Sequence, residues 1–149
     1  MSGLTKFFPY STSFLKGSAT DIVLPTLAGK TFFFYFSASW CPPCRGFTPQ
    51  LVEFYKKHAK SKNFEVMLIS WDEEADDFAE YYKKMPWLAL PFEDRKGMEF
   101  LKNGFKVETI PTLIGVDADT GKIVTTRARN MVERDPEGTE FPWLNVSAK

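Results

Sequence analysis

The chain has 149 residues, 44% of them hydrophobic and 26% charged, the composition of a folded domain rather than a disordered one. Nineteen basic residues offset nineteen acidic ones, so no net charge draws the chain to nucleic acid. A chain of this size buries roughly 68–70% of the surface its unfolded form exposes, so it needs neither a metal nor a disulfide staple, and one domain over 1–149 is expected.

No apolar run approaches the ~20 residues that span a bilayer; the longest, Phe32 to Phe36, is far shorter. The N-terminus lacks the apolar stretch of a signal peptide. A cytoplasmic monomer without membrane contact is therefore expected. Asn145-Val146-Ser147 matches a glycosylation sequon, which matters only in a secreted chain.

In chain order, Phe7, Phe8, Phe14 and Leu15 suit a short N-terminal helix packed on the body. Ile22-Val23-Leu24 reads as a short strand ended by Pro25, and 27–30 as a turn. Thr31 to Phe36 is continuously apolar and aromatic, as in a strand covered on both faces. Residues 37–40 leave it as a loop. Beyond Cys44 the period becomes helical, with Phe47, Leu51, Phe54, Tyr55 and His58 on one face and a kink expected at Pro49. Phe64 to Ser70 is the next buried strand. A second helix carries Phe78, Tyr81, Tyr82 and Met85. Pro86 to Pro91 reads as an ordered loop, and Arg95 to Asn103 as a short helix. Thr112–Val116 and Lys122–Thr126 flank a turn, giving a terminal hairpin, and Met131 to Glu133 begins a last short helix. Strands alternating with helices make this an α/β chain, a mixed sheet with helices on both faces.

The only two cysteines form Cys41-Pro42-Pro43-Cys44, at the junction from a buried strand to a helix. In a reducing compartment that spacing reads as redox or metal chemistry rather than a stability cross-link. A thiol at a helix start lies near unpaired N–H groups and the positive end of the dipole, which favour the nucleophilic thiolate. Pro42 and Pro43 have no N–H to offer, so Cys44 and Arg45 are the nearest backbone donors to Cys41, with the Arg45 charge in support. Cys41 is expected to be exposed and to attack; Cys44 is expected to be shielded and to resolve the mixed disulfide. A structural disulfide and a zinc site are the weaker alternatives. His58 is the only histidine, it falls on an apolar face as a packed core residue, and a second cysteine pair is missing.

Around these residues the chain resembles the thioredoxin superfamily, and more closely the tryparedoxins of trypanosomatid parasites, with the nucleoredoxins sharing much of the pattern. The likeness runs through FYFSASWCPPCRGFTP, FEVMLISWDE, MPWLALPF and IPTL. It implies a thioredoxin-like fold with an N-terminal extension, and a thiol–disulfide oxidoreductase with Cys41 as nucleophile and Cys44 as resolving thiol. It further implies a cis Ile110–Pro111 peptide facing the dithiol, and Trp40 flanking the nucleophile as part of the docking surface, with a ring buried at the strand end as the alternative for Trp40. Pro42, Pro43, Ile110 and Pro111 then join Trp40 as substrate-binding positions. The resemblance implies no metal or other cofactor.

Thioredoxins carry a buried aspartate six residues before the nucleophile, and here that position is Tyr35. A phenol with a pKa near ~10 is a poor base at neutral pH. Asp72, at the end of the next strand, is the preferred acceptor for the Cys44 proton, or else the N-cap of the helix that follows. Of Glu73, Glu74, Asp76 and Asp77, most suit a helix N-terminus. Trypanothione, which reduces tryparedoxins, joins two glutathiones through cationic spermidine. Glu73 is the candidate for the polyamine, and Arg129, with Arg127 and Arg134 as rivals, for a glutathione carboxylate. The clients implied are peroxiredoxin-type and glutathione-peroxidase-type peroxidases and ribonucleotide reductase. A nucleoredoxin-like or thioredoxin-like reductase and a non-catalytic adaptor on the same scaffold are the competing readings.

Overall fold

The structure is a computed structural model that describes residues 3–17 and 19–144. Its spine is the aromatic strand foreseen from sequence, β3 (Thr31–Ser37), beside β4 (Phe64–Ser70) in parallel register, Tyr35 opposite Leu68 and Ser37 opposite Ser70. Numbered along the chain, the others are β1 (Phe14–Lys16), β2 (Ala19–Ile22), β5 (Leu88–Ala89), β6 (Thr112–Asp117) and β7 (Ile123–Thr125), in the spatial order β2-β1-β5-β4-β3-β6-β7. β6 is antiparallel to β3 and forms the terminal hairpin with β7. The helices are α1 (Pro42–His58), α2 (Ala75–Tyr82), α3 (Arg95–Gly104) and α4 (Ala128–Arg134).

Side chains alternate across a strand, so the run of rings in β3 divides between two cores. Phe33 and Tyr35 pack with Phe47, Leu51 and Phe54 of α1 on one face, while Phe32, Phe34 and Phe36 pack with Met98 and Leu101 of α3 on the other. A Cβ at position 115 would stand 2.6 Å from the ring of Phe33, so glycine is what lets β6 lie against that ring.

Four sequence readings of secondary structure change. Phe14 and Leu15 belong to a strand, because β1 extends the sheet edge by pairing with β5 and β2, and only residues 5–7 form a helical 3-10 turn. The strand expected at 22–24 ends at Ile22, and Leu24–Leu27 is a 3-10 turn with Pro25 in its first turn. The proline-bounded loop at 86–91 contains β5, whose two residues pair with Met67 and Leu68. α4 starts at Ala128, three residues before the expected Met131. Met85 lies beyond the end of α2 yet is buried with its face. Pro49 lies inside α1, which runs through it. His58 is half-buried rather than in the core: its ring lies 4.7 Å from that of Phe54, and Nε2 is 3.1 Å from the Pro136 carbonyl oxygen. The sequon at 145–147 lies outside the described residues.

Candidate active site

β3 and β4 end side by side, and the chain leaving β3 turns at once into α1 with Cys41 at its N-cap. The Cys44 N–H donates to Cys41 Sγ at 3.3 Å, the role left to it by the two prolines in the first turn. Arg45 does not add its charge there, because its guanidinium donates to the Ser39 carbonyl at 3.1 Å. The Ile110–Pro111 peptide is cis, and the Cys41 thiol faces the Ile110 carbonyl with sulfur and oxygen 3.8 Å apart. Both cysteines are free thiols. Cys41 is not the exposed residue expected from the sequence: packing against Ala38, Trp71 and Ile110 leaves it 5% accessible, against 0% for Cys44. The order of access is as expected, with Cys41 the more accessible of the two. Trp40, directly before it, is 56% exposed and so is not a ring buried at the strand end.

Burial pushes the Cys44 thiol up to about 12, and a hydrogen bond with Cys41 adds to this; the Ser37 hydroxyl and the Ala38 backbone oppose it. Cys44 therefore holds its proton at neutral pH. Asp72, the expected acceptor, is engaged elsewhere. Its carboxylate accepts from the Ser39 N–H (3.0 Å), the Ser39 hydroxyl (2.6 Å) and the Ser70 hydroxyl (2.9 Å). Nor is it the helix cap, since α2 has Glu74 at its N-cap. The Tyr35 phenol, in turn, is raised well above its ordinary value, by burial first and by Tyr81 second, and hydrogen-bonds Thr48 at 2.6 Å.

Comparison with known proteins supplies the rest. A thioredoxin-like family profile matches residues 29–123. The tryparedoxin of Trypanosoma brucei brucei is 59% identical over 145 residues, 97% of this chain and 100% of that protein. The chain belongs to the tryparedoxin family. A solved tryparedoxin II complexed with glutathionylspermidine is 74% identical, covers 97% of this chain and 100% of its own, and superposes with a TM-score of 0.96. Human nucleoredoxin is more distant, 38% identical over 130 residues that span 30% of its length. As a tryparedoxin, the chain is a dithiol–disulfide oxidoreductase on a thioredoxin-like fold.

In this tryparedoxin the dithiol is flanked by a groove of about 390 Å³ lined by Trp40, Trp71, Asp72, Glu73, Arg95 and Lys102 among others. Glu73 is exposed in it, beside Trp40, and Lys102 stands 4.8 Å from the Trp71 ring centroid. Arg95 donates to the Ser70 and Asp72 carbonyls and so braces the end of β4. Arg129 lies outside that groove, half-buried on α4, and its Nε has no hydrogen-bond partner among the described residues. Among the described residues no cluster of His, Cys, Asp or Glu is arranged to hold a metal, and no helix is long and apolar enough to cross a membrane. Sequence reasoning missed Ser37, Thr48 and Tyr81, which share one buried hydrogen-bond chain. Thr48, four residues after Cys44 on α1, was the available signal; Tyr81 was hidden in an apolar stripe.

Proposed function

We propose that this chain is a cytoplasmic, monomeric carrier of reducing equivalents from trypanothione to protein disulfides. Trypanothione reduces the Cys41–Cys44 disulfide. Cys41 then attacks a client disulfide, releasing one client thiol, and Cys44 attacks the mixed disulfide, releasing the second and restoring the ring. The likeness to a tryparedoxin complexed with glutathionylspermidine, which is trypanothione less one glutathione, carries the reading.

The groove supports it with chemistry. Exposed Trp40 offers a flat apolar contact, and Glu73 beside it suits a polyamine cation. Pro42 and Pro43 follow Cys41 in the first turn of α1, the Ile110 carbonyl oxygen lies 3.8 Å from its sulfur, and the Ile110 backbone suits strand-like pairing with a bound thiol peptide. Arg129 remains the proposed partner of a glutathione carboxylate. The proposed clients are peroxiredoxin-type and glutathione-peroxidase-type peroxidases and ribonucleotide reductase, so that the main output is peroxide removal.

The test is reduction of insulin disulfides with trypanothione, glutathione or thioredoxin, each with its reductase, and with Cys41→Ser as control. Cys41-dependent turnover with trypanothione is expected. Preference for the thioredoxin system overturns the choice of reductant, and no turnover with any of them leaves only an adaptor.

A further inference from the structure

Cys44 poses a problem that the proposed cycle does not solve. To resolve a mixed disulfide it must lose a proton in a site 0% accessible to solvent, with no described carboxylate hydrogen-bonded to it. In the reduced protein its sulfur lies within hydrogen-bond reach of Cys41, but that sulfur is bonded to the client once Cys41 has formed the mixed disulfide. The other side-chain partner is the Ser37 hydroxyl.

Ser37 is the first link of a chain of hydroxyls. Its Oγ is 2.7 Å from the Tyr81 hydroxyl, which is 2.8 Å from Thr48 Oγ1; that oxygen is also 2.6 Å from the Tyr35 hydroxyl. All four residues are at most 4% exposed. With Cys44 protonated, one arrangement of the hydrogens satisfies every contact. Thr48 donates to the Cys44 carbonyl at 2.8 Å, so its oxygen accepts from both tyrosines. With Tyr81 donating to Thr48, Ser37 donates to Tyr81, which leaves the Ser37 oxygen to accept the Cys44 S–H. Turning two O–H bonds, with no heavy atom displaced, reverses the chain: Ser37 then donates to the sulfur and Tyr81 donates to Ser37. Thr48 and Tyr81 also line a surface groove of about 320 Å³ with Arg45 and Lys84, so the far end of the chain borders an open groove.

We propose that Ser37 and Tyr81 form a reversible hydroxyl switch that stabilises the Cys44 thiolate during resolution and passes its proton to the groove, in place of a buried carboxylate. The proton balance is simple. Cys44 passes its proton to Ser37, Ser37 passes its own to Tyr81, and the Tyr81 proton leaves to water in the groove once that O–H turns from Thr48; the Cys44 sulfur then forms the bond to Cys41, and the departing thiolate takes the electron pair of the broken bond. Tyr35 and Thr48 hold Tyr81 in place from behind and act as positioning residues.

The proposal rests on the dithiol reading of Cys41 and Cys44, and the test separates the two. Dithiobis(nitrobenzoate) is mixed with the reduced protein in a stopped-flow instrument. Attack by Cys41 releases one nitrothiobenzoate anion, and resolution by Cys44 releases a second. Tyr81→Phe keeps the ring and removes only the hydroxyl. It is expected to slow the second release about tenfold at neutral pH and to move its pH midpoint up by about one unit, with the first release unchanged. Ser37→Ala, a smaller change, is expected to do at least as much and gives an independent reading where Tyr81→Phe perturbs the fold. A second release with the wild-type pH profile in both variants overturns the switch. Equal slowing of both releases also overturns it, because that marks a structural effect. Loss of the first release in the wild-type protein overturns the dithiol reading and the switch together.

Discussion

The Asp72 carboxylate grips Ser39 twice, through its backbone N–H at 3.0 Å and its hydroxyl at 2.6 Å. These bonds tie the end of β4 to the segment that carries Trp40 and Cys41. Asp72 is 1% exposed, so removing its side chain strands the buried Ser70 hydroxyl, at a cost of about 1–3 kcal/mol, and frees the half-buried Ser39 donors. Asp72→Ala is expected to lower the unfolding free energy by at least that amount in urea melts. It is also expected to slow both thiol-release phases, because the whole loop loses its anchor. An effect confined to the second phase contradicts this structural role.

Cys44 is buried and its thiol is pushed up to about 12, so at neutral pH it is both hidden and protonated. Iodoacetamide is expected to modify Cys41 at neutral pH and to leave Cys44 unlabelled in the folded protein, as peptide mass analysis will read. A raised folded-state value favours the protonated form in the native state. Its contribution to stability is therefore present below the ordinary thiol range and fades as pH rises towards about 12.

Gly115→Ala puts a methyl group 2.6 Å from the Phe33 ring, which is itself 2% exposed between β3 and α1. Overpacking of this kind costs about 1–3 kcal/mol. A lower denaturation midpoint is expected, with the rate of the first thiol release unchanged. A midpoint equal to wild type shows that the ring yields.

Asp135 organises the C-terminal segment. It accepts from the Thr139 and Glu140 N–H groups at 3.0 and 2.8 Å and from the Trp143 indole at 2.9 Å. Partial burial opposes its charge, but these donors, with Lys62, outweigh that and hold the carboxyl below its ordinary range. The stability it contributes is present above the usual aspartate value of about 3.9 and is lost as pH falls through the lower folded value. Asp135→Asn is expected to lower Tm at neutral pH, with the difference from wild type narrowing in acid. A gap that does not narrow argues against the charge.

Trp40 is exposed and at the mouth of the dithiol, so Trp40→Ala is expected to raise KM for trypanothione severalfold while leaving Tm close to wild type. An unchanged KM removes Trp40 from the docking surface.

The sequence made the central strands legible because β3 and β4 are short, continuous and apolar, and the CxxC position legible because proline and cysteine chemistry is local. β5 was hidden because two residues between prolines carry no period; only pairing with Met67 and Leu68 makes them a strand. Phe14 has the same apolar character in a helix or a strand, and its pairing with Ile22 decides which. Around the dithiol, the cis peptide was reachable through resemblance, whereas the partners of Asp72 and Cys44 depend on where β3, α1 and α2 meet in space. Hydroxyls of Ser37, Thr48 and Tyr81 carry no sequence mark until those elements are packed.

The indoles are distributed unevenly about the sulfur pair. Trp40 adjoins Cys41 in the chain and Trp71 packs against the cysteine cluster, whereas Trp87 is sealed in the core with Tyr35 and Tyr55. Thiolates and disulfides both quench indole light, to different extents, and only at short range. The emission of this molecule is thus a built-in gauge of its oxidation state, with Trp40 and Trp71 sensing the electrons while Trp87 and Trp143, both in the core, serve as internal standards. Turnover can be watched in unlabelled protein by its own colourless residues.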